Sequence, residues 1–188
     1  MFYEVIDKIM DSKDTTVGGG SASAAAGAMA AGLVGMVARL SLGKDYGLTD
    51  ERYLAIAEEL DGYTAALKDG AVEDTKSYLG IKASFGLPKT TVEEKAARRA
   101  AIEAAAVQAA TVPLTNGRMA LKIYEICKEM EGRFNSAAGS DMEAGIMLAK
   151  MAIVDTALNI EANLSLIKTP EINAMFAANA EILKNSVK

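Results

Sequence analysis

Between Thr15 and Ala38 the chain carries no charged side chain, and "GGGSASAAAGAMAAGLVGMVA" from Gly18 to Ala38 is built almost wholly of glycine, alanine and serine. Few structures accept such a stretch. It is long enough to cross a bilayer. Its strongly apolar residues, however, are only Met29, Leu33, Val34, Met36 and Val37, and Ala, Gly and Ser gain little from lipid. A phosphate-binding loop needs a Lys after its glycines and a strand before them, and both are missing. A central helix over residues 20–41 remains. Gly20, Ala24, Ala28, Ala31 and Gly35 recur at three- or four-residue spacing, so one face has almost no side-chain volume and a neighbouring helix can approach closely. Gly18, Gly19, Gly20 and Ser21 allow two readings: a turn into the helix, or a site where a ligand meets backbone N–H groups.

The rest of the sequence also reads as helix. Residues 2–11 are amphipathic and mixed in charge, unlike a signal peptide. Residues 49–79 form a long helical pattern with Thr49 as cap, followed by "GIKASFGLPKTT" as a loop. Thr91 to Glu94 is a capping box with Glu94 facing Arg98 at i,i+4, and its helix should kink or break at Pro113. "EGRFNSAAGSDMEA" is a second break. Ser140 to Glu143 is another capping box, opening a helix to about Lys168, and Pro170 starts the last helix. With 188 residues and no period-two alternation, the expectation is one all-α domain over 1–188, a helical bundle with long kinked helices around a central Gly/Ala-rich one.

Composition removes several kinds of chemistry. There is no histidine, which excludes Ser-His-Asp and Cys-His catalysis and imidazole-built zinc sites. Acid–base work falls to Asp, Glu, Lys, Tyr or the substrate. A net charge of −5 argues against nucleic acid or an anionic membrane as partner, and the single cysteine, Cys127, fits a reducing cytoplasm.

Three polar features look misplaced. Asp74 falls on the stripe Leu67, Ala71, Asp74, Tyr78, Ile81, where a core residue belongs. A carboxylate there is either ion-paired, with Arg39 for example, or used. Asp155, Asn159 and Asn163 share one helical face, as a hydrogen-bonded interface or as part of a site. Ser140-Asp141 is either a cap or a binding element.

In order along the chain, "GGGSASAAAGAMAAGLVGMVARLSLGKDY", "DTKSYLG" at 74–80, "TVPL" at 111–114, "SD" at 140–141 and "NIEANL" at 159–164 resemble the formimidoyltetrahydrofolate cyclodeaminase family, which includes methenyltetrahydrofolate cyclohydrolases. Three positions depart from the family pattern: Val17 where a proline is usual, Phe134-Asn135 where Gly-Asn is usual, and Asp155 where glycine is common. The resemblance implies an all-helical, homodimeric, cytoplasmic enzyme that binds a folate and uses no metal or other cofactor. It makes Asp74 the catalytic residue. In the cyclodeaminase reaction the anilinic nitrogen attacks the formimino carbon and ammonia leaves; in the cyclohydrolase reaction water opens the cationic methenyl bridge. Both need a group that moves a proton beside a positive charge, which a carboxylate does. The resemblance further implies substrate contacts from Gly18, Gly19, Gly20, Ser21, Lys44, Ser140, Asp141, Asn159 and Asn163. Lys44, Arg39 and Arg118 are candidates for the glutamate tail, and Ser140 and Asp141 for the pterin. The site is expected at the start of the 20–41 helix beside Asp74 and the 140–141 turn. Cyclodeaminase is the favoured activity, cyclohydrolase the alternative, and a folate-binding dimer without catalysis the further alternative.

Overall fold

The computed structural model describes residues 1–188, which form six α-helices and no strand. They are α1 (Phe2–Met10), α2 (Gly19–Leu40), α3 (Asp50–Phe85), α4 (Val92–Met130), α5 (Gly139–Leu164) and α6 (Pro170–Asn185), with a 3-10 turn at Ser136–Ala138.

Helix α2 is the axis of the bundle. Fourteen of its 22 residues are buried, so its small and apolar side chains are covered by the other helices of the bundle. It runs antiparallel to α3: Gly20 lies against Asp74, Gly27 against Leu67, and Gly35 against Leu60 and Ala57. It also runs antiparallel to α5, with Gly19 beside Asp155, Gly27 near Ala152 and Gly145 against Val34. The small-residue row therefore faces α3, and each residue on it is buried. Two apolar clusters result. One joins α1, α2 and α3 to the second half of α4 and the first half of α5; the other joins α4, α5 and α6, with Ala26 of α2, around Phe176, Ile153 and Ile160.

Helix ends follow local chemistry in part. The Thr49 and Thr91 hydroxyls accept from the Arg52 and Glu94 N–H groups, and Thr91 with Glu94 completes the expected capping box. Four sequence expectations change. Helix α3 continues six residues past 79, through Gly80 to Phe85, because its last turn packs against the start of α4. Glu94 does not pair with Arg98; its carboxylate accepts from the Thr90 and Thr91 N–H groups, while Arg98 donates to the Phe85 carbonyl and closes the α3–α4 hairpin. Ser140 caps nothing: α5 follows directly from the 3-10 turn, whose own first N–H groups are served by Asn135, and it ends at Leu164 rather than Lys168.

The fourth change concerns Pro113, which lies buried inside an unbroken α4. Proline lacks an N–H, so the carbonyl four residues back, on Ala109, loses its helical partner. The Asn163 side chain replaces it, donating from Nδ2 to Ala109 O at 3.2 Å. A residue on α5 thus repairs α4.

Apolar side chains also remain outside. Met29, Met36 and Leu40 on α2, and Met147, Met151, Val154 and Leu158 on its neighbour α5, are exposed. Each set repeats at helical spacing.

The α2–α3 contact predicts opposite outcomes for two glycines. A Cβ on Gly35 would sit 3.5 Å from Leu60 Cβ, whereas one on Gly62 meets nothing within 4 Å. Gly35→Leu should lose about 1–3 kcal/mol through overpacking. Gly62→Ala should gain up to about 1 kcal/mol from helix propensity. Thermal melts of the two variants check this.

Candidate active site

The N-terminus of α2, the middle of α3 and the second half of α5 converge on a cleft of about 250 Å³. Thr15, Val17 and Gly18–Gly20 form one side, Asp74, Ser77, Tyr78 and Ile81 the second, and Ala109, Asn159 and Asn163 the third. Asp74 is partly buried and its Oδ2 accepts from the Ser21 hydroxyl at 2.9 Å. That hydroxyl also lies 3.0 Å from Thr75 Oγ1.

The glycines serve space rather than conformation. Gly18 has an extended backbone, and the three glycines of positive φ lie elsewhere, at Gly43, Gly47 and Gly132. A Cβ on Gly20 would overlap the Asp74 carboxylate, 2.6 Å from its Cγ. A Cβ on Gly19 would crowd Asp155 Oδ2 at 3.2 Å and Asn159 Nδ2 at 3.3 Å. Side-chain-free residues let two carboxylates reach the positive end of a helix, where the first N–H groups have no intrahelical acceptor.

Burial pushes the Asp74 carboxyl above its ordinary range; the Ser21 hydroxyl and N–H pull the other way, and the negative charge of Asp155 adds to the rise. Burial likewise raises Asp155, opposed by its bond from Asn159. The carboxylates therefore disfavour each other's ionisation. No Lys or Arg side chain lines the cleft to pair with them. Arg39, weighed as a partner for Asp74, instead makes two bonds to Asp61, at 3.3 and 2.5 Å. Arg118 bonds Asn179 on an exposed face.

Gly18, Gly19, Gly20, Asp74, Asn159 and Asn163 meet in one cleft, with Ser21 bonded to its carboxylate. Lys44, Ser140 and Asp141 do not. They lie by the opposite end of α2, where Asn135 binds the Leu40 carbonyl, about 30 Å from Gly19 by helix length. The expected neighbourhood of Asp74 and the 140–141 turn is thus corrected for a single chain: α5 runs antiparallel to α2, so its start faces α2's end. Ser77, Tyr78 and Ile81 were not named as site residues, although they follow Asp74 at three, four and seven residues and so share its face. Thr15, Val17 and Ala109 gave no comparable signal.

An all-helical bundle with a partly buried carboxylate at the mouth of a glycine-opened helix is the class of protein defined so far. The model of the formiminotransferase-cyclodeaminase family matches residues 2–182, and the chain belongs to that family. A methenyltetrahydrofolate cyclohydrolase from Methylorubrum extorquens is 33% identical over 164 residues, covering 85% of this chain and 79% of that protein. The formimidoyltransferase-cyclodeaminase of Rattus norvegicus is 24% identical over 148 residues, 78% of this chain but 27% of the rat protein. The crystal structure of formiminotetrahydrofolate cyclodeaminase from Thermotoga maritima superposes with a TM-score of 0.84 at 21% identity, covering all of this chain and 89% of that one, which establishes the shared fold.

The upward shift of Asp74 fixes the sign of a stability effect. The native state holds this proton more tightly than the unfolded chain, so ionisation works against the fold as pH rises from the ordinary value of 3.8 through the raised one. Asp74→Asn should match the parent below about pH 4 and exceed it at pH 7, read from urea midpoints.

Proposed function

We propose that the protein is a methenyltetrahydrofolate cyclohydrolase. The observation that carries a folate reaction at this site is the placement of Asp74: a carboxylate of raised proton affinity in a cleft with no cation. Such a cleft favours a substrate whose reacting carbon is itself positively charged. Water attacks the methenyl carbon held between two nitrogens. Asp74 accepts the proton as the C–O bond forms, leaving a neutral tetrahedral carbon. It then returns a proton to the ring nitrogen as that C–N bond breaks, the hydroxyl gives up its own proton to solvent as it becomes the formyl C=O, and the 10-formyl compound leaves. Bridged cation and water enter; formyl product and one proton leave. A carboxylate whose burial and charged neighbour hold its proton affinity closer to neutrality suits both steps. The reaction calls for no metal or redox group, so this reading includes no cofactor.

The sequence alone leaned toward ammonia release. The 33% identity spread over most of both chains supports hydrolysis instead, since the cyclodeaminase relatives share 24–25%. Cyclodeaminase remains the second reading. It uses the same carbon, and the Thermotoga maritima fold accommodates it. Assaying water addition to methenyltetrahydrofolate beside ammonia release from formimidoyltetrahydrofolate separates the two, and hydrolysis is expected to dominate. Asp74→Asn should lower turnover by about 10²–10⁴-fold while leaving the fold intact. Retained activity would make Asp74 a structural carboxylate. Failure of both assays with reduced folate still bound would favour the non-catalytic dimer.

The same reading includes a homodimer in a reducing cytoplasm. The support for the dimer is the exposure of two apolar stripes on neighbouring helices, Met29, Met36 and Leu40 with Met147, Met151 and Leu158, which a second copy would bury. A Met147→Glu/Met151→Glu double variant should sediment as a folded monomer where the parent sediments as a dimer.

A further inference from the structure

The two cleft asparagines have their amide nitrogens fully engaged within the chain. Asn159 Nδ2 donates to the Asp155 carbonyl at 2.8 Å and to Asp155 Oδ2 at 3.1 Å. Asn163 Nδ2 donates to the Asn159 carbonyl at 2.9 Å and to the Ala109 carbonyl at 3.2 Å. An amide has two N–H groups, so neither asparagine has a donor to spare. Backbone carbonyls only accept, so both amides are fixed in orientation by their partners. Neither Oδ1 is bonded within the chain, and neither is a buried orphan: the single such atom in the protein is Asn116 Nδ2. Both side chains line the cleft, so their carbonyl oxygens are the atoms left to it. Donors to the cleft come from the other sides: the Gly18–Gly20 N–H groups at the α2 terminus and the hydroxyls of Thr15 and Tyr78.

Resting on the folate reading, we propose that Asn159 and Asn163 form an acceptor wall that selects the substrate by the hydrogen-bond donors of its pterin, the 2-amino group and N3–H, with Asp155 and Pro113 as positioning residues. Asp155 holds the Asn159 amide. Pro113 withholds the N–H that would occupy Ala109 O, and so leaves that oxygen to hold the Asn163 amide. The two asparagines stand one turn apart, about 6 Å along α5. Asn163 is on the side away from Gly19 and Asp155, so the pterin's donor edge lies toward it while the bridging carbon stays at Asp74. The carboxylates of a glutamate tail are pure acceptors and are turned away from this wall. The tail therefore leaves through the mouth of the cleft. Ser140 and Asp141 of the same chain lie near the far end of α2 and take no part in this wall.

The test is calorimetric binding of 5-formyltetrahydrofolate and of its 2-desamino counterpart to the full-length protein. The intact compound should bind about 10- to 100-fold more tightly, the effect of a lost hydrogen bond to a site built to accept it. Asn163→Leu and Asn159→Leu should each narrow that ratio, mainly by weakening the intact ligand. The ratio within one variant is unaffected by its folded fraction. Equal binding of the two compounds to the parent protein would overturn the acceptor wall and leave the folate reading standing. Binding of neither would overturn both. An undiminished ratio in both leucine variants would overturn the assignment to the asparagines.

Discussion

The contact between Gly20 and Asp74 is the constraint on which the site depends. It exists because α2 has almost no side-chain volume on the face it turns to α3. Were that face lined by leucines, the helices would separate and the Asp74 carboxylate would stand away from the α2 N-terminus. Its bond to Ser21, its proximity to Asp155 and the raised proton affinity that follows would all be lost. The small-residue row is therefore both a packing device and the means by which a charge is brought to a helix end.

Desolvation and the helix terminus act on this carboxylate in opposite directions. Burial makes the ionised form costly, and Asp155 adds a like charge. The orphan N–H groups of α2 and the Ser21 hydroxyl favour ionisation. A group balanced in this way can gain and lose a proton within one reaction, which a fully paired aspartate does not do easily. The arrangement works against stability, as charges gathered at functional sites commonly do. Cys127 shows the contrast: burial pushes its thiol up to about 12, and it lies in the core beside Ile123 and Ile126 as an inert apolar residue.

A second dependence links two segments with no obvious relation in sequence. Pro113 on α4 and Asn163 on α5 are coupled through one carbonyl, that of Ala109. The proline creates an unmet acceptor, and the asparagine meets it. The bond keeps α4 continuous and immobilises Asn163 in the cleft. "TVPL" and "NIEANL" are in this sense one element, divided between two helices.

Much of this was legible in the sequence. Helix type and order follow from periodicity, two of the caps from threonines, and the central position of α2 from its lack of volume and charge, because these properties act over a few residues. Asp74 was legible as a polar residue on an apolar stripe. Tertiary structure decided the remainder. Nothing local indicates that α5 runs antiparallel to α2, which brings Asn159 and Asn163 to the cleft and sends Ser140, Asp141 and Lys44 to the far end of the bundle. The continuity of α4 through Pro113, the pairing of Arg39 with Asp61, and the hold on the Asn163 amide likewise depend on partners 22 to 54 residues away. Local propensity is read along the chain. Which polar group finds which partner is settled only when helices meet, since a buried donor or acceptor takes whatever complement the packed neighbour presents.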